Sequence, residues 1–300
     1  MRKSPRSSAP RAARVTRALL RKHPLPQPSS DDDKEERGRI LIVGGERELP
    51  GALILAGVAA LRAGAGKLQI ATCRSVAPLI GIAVPECLAV GLEETRHGTI
   101  APRASAAIRT QAATADAVLI GPGMRAANGH DKLVADIIDN IDCPIILDAG
   151  IIESLSSNPE SSHRLDGQIV LTPHAGEMSA LTGVPKEEIE AVPAESALDA
   201  SRQFQAVVAL KGSETFIATP DGQLYRYTEG DTGLATSGSG DVLAGIIAGF
   251  LARGAAPLNA TLWGVFVHGA AGNVLSKRVG RVGFLAREIP DEIPRLLHRN

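Results

Sequence analysis

Gly238-Ser239-Gly240-Asp241 sets an acid behind three small residues, just where the chain turns strongly apolar. Val242, Leu243, Ile246, Ile247, Phe250 and Leu251 recur at spacings of three and four, which predicts a helix with one buried face. Gly254, after Arg253, predicts its left-handed stop. The first amides of a helix lack intrahelical acceptors and sit at the positive end of the dipole, so they suit an anion. Glycine lets a bulky anion come close to the main chain. A carboxylate in the same place repels an anion, so Asp241 has two readings. It charges or caps the first turn, worth about 0.5–2 kcal/mol, or it is a general base that takes a proton from a hydroxyl while the glycine amides hold a phosphoryl group. Asp is common at helix starts and a short glycine motif is a weak signal, so the stretch on its own favours the first.

The elements that would position these residues alternate. Strands are expected at Ile40–Val43, Lys67–Ala71, Cys87–Val90, Ala117–Ile120, Pro144–Leu147, Gln168–Leu171 and Val207–Leu210. Helices are expected at Gly51–Ala63, Ala101–Ala113, Gly129–Asn140, Gly176–Leu181, Ala194–Gln205 and Pro257–Ser276. That alternation predicts an α/β fold, a mostly parallel sheet covered by helices on both faces. Thr215–Ala218 and Gln223–Tyr227 flank Pro220-Asp221-Gly222, a hairpin signal that makes the late edge antiparallel. Ligands of such sheets sit beyond the carboxyl ends of the strands. The segments found there are Gly44-Gly45, Gly121-Pro122-Gly123-Met124, Asp148-Ala149-Gly150, Thr172–Glu177 and Lys211–Thr215. Each alone is a turn. Glycine-bearing, mostly polar turns gathered on one rim point to a site.

Composition narrows the function. Three hundred residues give ample core, and a net charge of −1 supplies no field for nucleic acid or a membrane surface. Cys73, Cys87 and Cys143 are odd in number and form no CxxC pair, which fits free thiols in a reducing, cytoplasmic setting. No apolar run is long enough to span a bilayer. Residues 1–36 are basic and then acidic and are expected to be a flexible, solvated segment, with a short helix over Ala12–Lys22. Residues 37–300 are expected to form one domain.

Four parts of the chain resemble the ADP/ATP-dependent NAD(P)H-hydrate dehydratases, a branch of the ribokinase-like superfamily. They are ILIVGGERELPGALILAGVAALRAGAGK from Ile40, VLIGPGM from Val118, LTPHAGEMSALTG from Leu171, and the pair LKGSET and SGSGDVLAGIIAGFLARG from Leu210 and Ser237. The GSGDVLAG string marks the superfamily loosely; TPHxGEM with the PGA helix start is more specific. The resemblance implies a three-layer α-β-α sandwich and a repair enzyme that returns 6-hydroxylated (hydrated) NADH or NADPH to the reduced cofactor while consuming ADP or ATP. It implies Asp241 as the base acting on the hydroxyl, Ala52, Gly123, His174 and Asp241 on the hydrate, and Lys211, Gly212, Ser213, Glu214, Thr215 and Gly240 on the nucleotide. Gly238 and Gly240 would stabilise the transferred phosphoryl group, with Mg2+ bridging phosphates, in a homotetramer.

Three positions depart from the family pattern. Arg125 stands where a glycine is common after GPGM, Gly150 where LDADA carries a second acid, and Ala175 where TPHPGE has proline. Arg125 would either grip the substrate's pyrophosphate or narrow the pocket. Asp148 either caps the following short helix or organises metal-bound water. Two other functions share the glycine-acid motif: a small-alcohol kinase of the same superfamily, acting on a thiazole or pyrimidine precursor, and a catalytically silent nucleotide-binding homologue.

Overall fold

The computed structural model describes residues 11–27, 37–127 and 129–298. Its strands are β1 (Ala13–Arg14), β2 (Arg39–Val43), β3 (Lys67–Cys73), β4 (Cys87–Leu92), β5 (Ala117–Ile120), β6 (Ile145–Leu147), β7 (Ile169–Leu171), β8 (Val207–Leu210), β9 (Thr215–Ala218) and β10 (Leu224–Tyr227). They form a ten-stranded sheet in the order β1-β10-β9-β8-β7-β6-β5-β2-β3-β4. From β4 through to β8 every pairing is parallel. The β9–β10 pair is antiparallel, as the Pro220-Asp221-Gly222 turn requires, and so is β8–β9.

The central strands are apolar throughout because both faces of the sheet are covered. Successive side chains go to opposite layers: Ile40 and Ile42 join one core, Leu41 and Val43 the other. The first core is completed by the helices Gly51–Arg62, Ser239–Ala252, Pro257–Arg278 and Ile289–His298. The second is completed by Ser105–Ala112, His130–Asn140, Ala175–Thr182 and Pro193–Phe204. This is the expected three-layer α-β-α sandwich.

The helix after the glycine motif departs from its expected pattern. It was expected to bury one face, yet every residue from Val242 to Ala252 is buried. The sheet lies beneath it, and helices Gly51–Arg62 and Pro257–Arg278 pack on its flanks. Small residues permit the closest approach: a Cβ on Gly245 would stand 2.2 Å from the Ala56 carbonyl oxygen. Gly254 ends the helix with φ +84°, as its C-cap signal required.

The amino-terminal segment needs a correction. Residues 11–27 are not a solvated tail. β1 runs parallel to β10, and a short helix at Arg17–Leu20 replaces the longer one expected over Ala12–Lys22. Val15, Leu20 and Leu25 are buried, the Trp263 indole N–H donates to the His23 carbonyl at 2.7 Å, and Arg253 donates to that of Pro26 at 2.7 Å. Three apolar anchors spread among basic residues give no periodic signal. The rest of the expected flexible segment, residues 1–10 and 28–36, lies outside the described residues.

Gly245→Ala is expected to destabilise the fold by about 1–3 kcal/mol through overpacking, read as a lower denaturant midpoint with unchanged m-value. An unchanged midpoint would show that the two helices part at no cost.

Candidate active site

The carboxyl ends of β6, β7 and β8 deliver charged side chains to one place. Asp148 follows β6 and is almost fully buried; its Oδ1 accepts from the Thr172 hydroxyl at 2.7 Å and from Lys211 Nζ at 3.1 Å. Lys211 follows β8, held to the β7 end by its amide bond to the Pro173 carbonyl at 2.8 Å. Its ammonium also lies 3.7 Å from a Glu177 carboxylate oxygen. On the other side Lys211 reaches the glycine motif, where a Cβ on Gly240 would begin 3.4 Å from Nζ.

Asp241 sits in the first turn of the Ser239–Ala252 helix and is drawn into this cluster. Its pKa is raised to about 7: burial is the main cause, the Asp148 carboxylate adds to it, Lys211 opposes it, and Glu177 raises it further. Burial works against the charge on Lys211 too, but Asp148, Glu177 and Asp241 together outweigh it and raise that pKa. A carboxyl poised near neutrality beside a cation is what a general base requires. The helix cap at Gly238 has φ +87° and no side-chain hydrogen bond; the Ser239 amide donates to the Thr236 carbonyl at 3.2 Å, and the Gly240 amide lies in the first turn, where helix amides lack intrahelical acceptors. Behind them, His268 of the next helix lies 3.0 Å from Ser239 Oγ and 3.1 Å from its carbonyl oxygen. Burial, opposed by the Ser239 carbonyl bond and reinforced by Lys211, holds that imidazole neutral with a pKa near 4.

His174 is a helix cap that also borders the cavity. It caps the Ala175–Thr182 helix, Nδ1 accepting from the Glu177 amide at 3.0 Å while a Glu177 oxygen accepts from the His174 amide at 2.7 Å. An accepting Nδ1 leaves the proton on Nε2 in the neutral ring, and the ring stands on the rim of the cavity.

That cavity, about 690 Å³, is lined by His174, Lys211, Gly212, Ser213, Thr215 and Gly240, and its far wall by Tyr227, Leu234, Val265 and His268. It is large enough for a nucleotide. Five of the expected nucleotide residues are therefore together. Glu214 pairs its carboxylate with Arg226 and lines an adjoining space of about 580 Å³, which it shares with His174, Lys211, Gly212 and Ser213. Gly238 shapes the helix entrance and is not on the cavity wall. Ala52 and Gly123 form a second group, where a Cβ on Gly123 would lie 3.1 Å from that of Ala52. Sequence reasoning missed Glu177 and His268. The capping-box spacing of His174 and Glu177 carried the first signal; His268 sits in an apolar helix and carried none.

The comparisons with known proteins agree with one another. The family described as NAD(P)H-hydrate dehydratase is matched over residues 40–295. An ADP-dependent (S)-NAD(P)H-hydrate dehydratase of Xanthomonas campestris pv. campestris is 52% identical over 292 residues, 97% of this chain and 98% of that protein. A bifunctional NAD(P)H-hydrate repair enzyme of Thermofilum pendens is 37% identical over 91% of this chain but 52% of its own length, so the chain spans about half of it. The crystal structure of the Bacillus subtilis ADP/ATP-dependent NAD(P)H-hydrate dehydratase, co-crystallized with ATP and Mg2+, superposes with a TM-score of 0.78 at 32% identity, covering 96% of this chain and 98% of that one.

The raised Asp241 pKa is also a statement about stability. Below about pH 4 the carboxyl is protonated folded or unfolded and costs nothing. Between there and about pH 7 the unfolded chain ionises while the folded one does not, so stability is lost as pH rises. Asp241→Asn removes this loss. The variant is expected to gain on the wild type from pH 4 to 7 and then level off, by roughly 1–4 kcal/mol at most; a stability difference independent of pH would contradict the assignment.

Proposed function

This chain belongs to the NAD(P)H-hydrate dehydratase family, and from that premise we propose how its site carries out the repair of hydrated NADH and NADPH. The enzyme is an ADP-dependent lyase. Hydroxide leaves poorly at neutral pH and a phosphate ester leaves well, so the C6 hydroxyl is phosphorylated first. Asp241 takes the hydroxyl proton as that oxygen bonds to the terminal phosphorus of the nucleotide. The bond from phosphorus to the bridging oxygen breaks, and AMP departs from ADP, or ADP from ATP. The C6–O bond then breaks, phosphate leaves with the electron pair, and loss of a proton from C5 restores the ring double bond.

The observation that carries this reading is Asp241, raised to about 7 at the mouth of an amide-bearing helix start and beside Lys211. The amides of Gly238–Gly240 and the Lys211 ammonium are suited to the charge on the phosphoryl group in flight. We assign the nucleotide to the cavity lined by Lys211, Gly212, Ser213, Thr215 and Gly240, with Glu214 contributing through its main chain. We assign the hydrate to Ala52, Gly123 and His174.

The charge balance favours a magnesium ion. Asp148, Glu177 and Asp241 set three carboxylates against the single Lys211 ammonium. Among the described residues no group of three or more His, Cys, Asp or Glu could hold a metal by itself. The donors therefore fit an ion bound largely by phosphate oxygens and water, with Asp148 and Glu177 turned toward it. Such an ion would neutralise charge on the phosphates.

We also propose self-association, in the homotetramer that the family resemblance implies. β4 is an open sheet edge; Leu88 on it and Leu79 and Ile82 on the helix Ala77–Ala83 beside it are exposed. Uncovered edges of this kind are normally blunted or partnered. Unpaired cysteines fit a reducing cytoplasm, and no described helix is long and apolar enough to cross a membrane.

Incubation with hydrated NADPH, magnesium and ADP is expected to restore reduced-nicotinamide absorbance. Asp241→Asn should lower kcat about 10²–10⁴-fold, with nucleotide binding unchanged or tighter because a repelling charge is gone. Nucleotide turnover on a small alcohol without recovery of absorbance would instead indicate a kinase. Wild-type kcat/KM should rise with pH through an inflection near 7, the proton of Asp241 being lost there. Ile82→Glu should shift the protein to a smaller species by light scattering; an unchanged mass would remove this edge from the interface.

A further inference from the structure

Two of the three departures from the family pattern, Arg125 and Gly150, meet in space. The Gly150 amide donates to the Met124 carbonyl at 3.2 Å, and a Cβ on Gly150 would stand 2.4 Å from the Ala126 amide nitrogen and 2.8 Å from the Arg125 carbonyl carbon. The loop carrying Arg125 therefore occupies the space that an acid at position 150 would need. The two changes are one adjustment.

Arg125 is committed elsewhere than to a ligand. Its Nε–H donates to Glu46 Oε2 at 2.8 Å, its main-chain N–H to Glu46 Oε1 at 2.9 Å, and its Nη2 to Glu48 at 2.9 Å. The Glu46 side chain is 3% exposed, so this pair satisfies a buried carboxylate. Around it the loop after β2 is laced to the loop after β5: the Gly45 amide donates to the Pro122 carbonyl at 2.8 Å and the Glu46 amide to that of Gly123 at 3.1 Å. From Glu46 the chain runs directly into the helix that carries Ala52. The clamp thus closes on Ala52 and Gly123, two of the three residues assigned to the hydrate, and it touches none of those assigned to the nucleotide.

We propose that Arg125 is a positioning residue for the dinucleotide substrate: through buried Glu46 it holds the Gly123 main chain against Ala52 and so sets the hydrate half of the site. This rests on the dehydratase reading above. Its Nε and Nη2 are spent on carboxylates, which weighs against a grip on the substrate's pyrophosphate.

The test is steady-state kinetics of the full chain with hydrated NADPH and ADP. Arg125→Ala should raise KM for the hydrate at least tenfold while kcat and KM for ADP stay within about twofold, because Glu46 loses its charged partner and the loop its fastening. Glu46→Gln should shift the same constant, and the double variant should be no worse than the worse single. Gly150→Ala, which pushes the same loop from its other side, should do likewise with Arg125 and Glu46 intact. Glu48→Ala, which removes only the exposed arm, should be neutral. If either loop variant fails to fold, the remaining one carries the same test. An unchanged hydrate KM, or equal rises for hydrate and ADP, would overturn the clamp while leaving the dehydratase reading in place. A wild type that restores no absorbance would overturn both.

Discussion

The site depends on a shortage of positive charge. Three carboxylates, from the β6 end, the Ala175–Thr182 helix and the glycine-motif helix, share the Lys211 ammonium where burial weakens solvent screening. Asp148 takes the lysine most directly, at 3.1 Å, with Thr172 as its second donor. Asp241 is buried and left undercompensated; burial first, and then the like charges, give this aspartate an affinity for protons near neutrality. The same imbalance is what the proposed arrival of a cation with a phosphoryl group would relieve. Ala149, immediately after Asp148, is held at φ 58°, a left-handed conformation that costs a non-glycine residue about 1–2 kcal/mol. The fold supports this strain to turn the chain sharply out of β6.

Everything else in the architecture serves to hold those groups still. Parallel strands set the β6, β7 and β8 ends side by side, and the His174–Lys211 bridge extends that pairing one step beyond the regular sheet. The glycine-motif helix cannot drift, because Gly245 seats it directly on the Ala56 carbonyl and its flanks are wholly buried. His268 supports the amide end from behind as a neutral imidazole, which adds no repulsion to Lys211. The substrate half is built from separate loops, and its alignment is set by hydrogen bonds between them.

Most of the scaffold was legible in the sequence for a physical reason. Continuous apolar strands such as Ile40–Val43, and helices with marked starts and stops, are local signals, so the layer order and the strand-end rim could be read directly. Asp241 could be placed at a helix start but not assigned a role, because its altered proton affinity comes first from burial in the fold and then from Asp148 and Glu177, distant in sequence. Glu214 shows the converse. The family resemblance implies a nucleotide contact there, and its carboxylate is paired with Arg226, a neighbour on β10 that the motif does not contain. The packed residues 11–27 escaped notice because Val15, Leu20 and Leu25 are buried by surfaces on other elements. Arg125 and Gly150 read as two unrelated oddities until the fold set one against the other.

The central claim is that burial, reinforced by the Asp148 and Glu177 carboxylates, keeps Asp241 protonated up to neutrality. Carbon-detected NMR titration of the Asp241 carboxyl in wild-type protein and in Asp148→Asn tests it directly. The account predicts a pKa near 7 in the wild type and a clear fall in the variant, where a like charge is gone and Lys211 is freed. A wild-type value close to that of an ordinary aspartate, unmoved by the substitution, would contradict it.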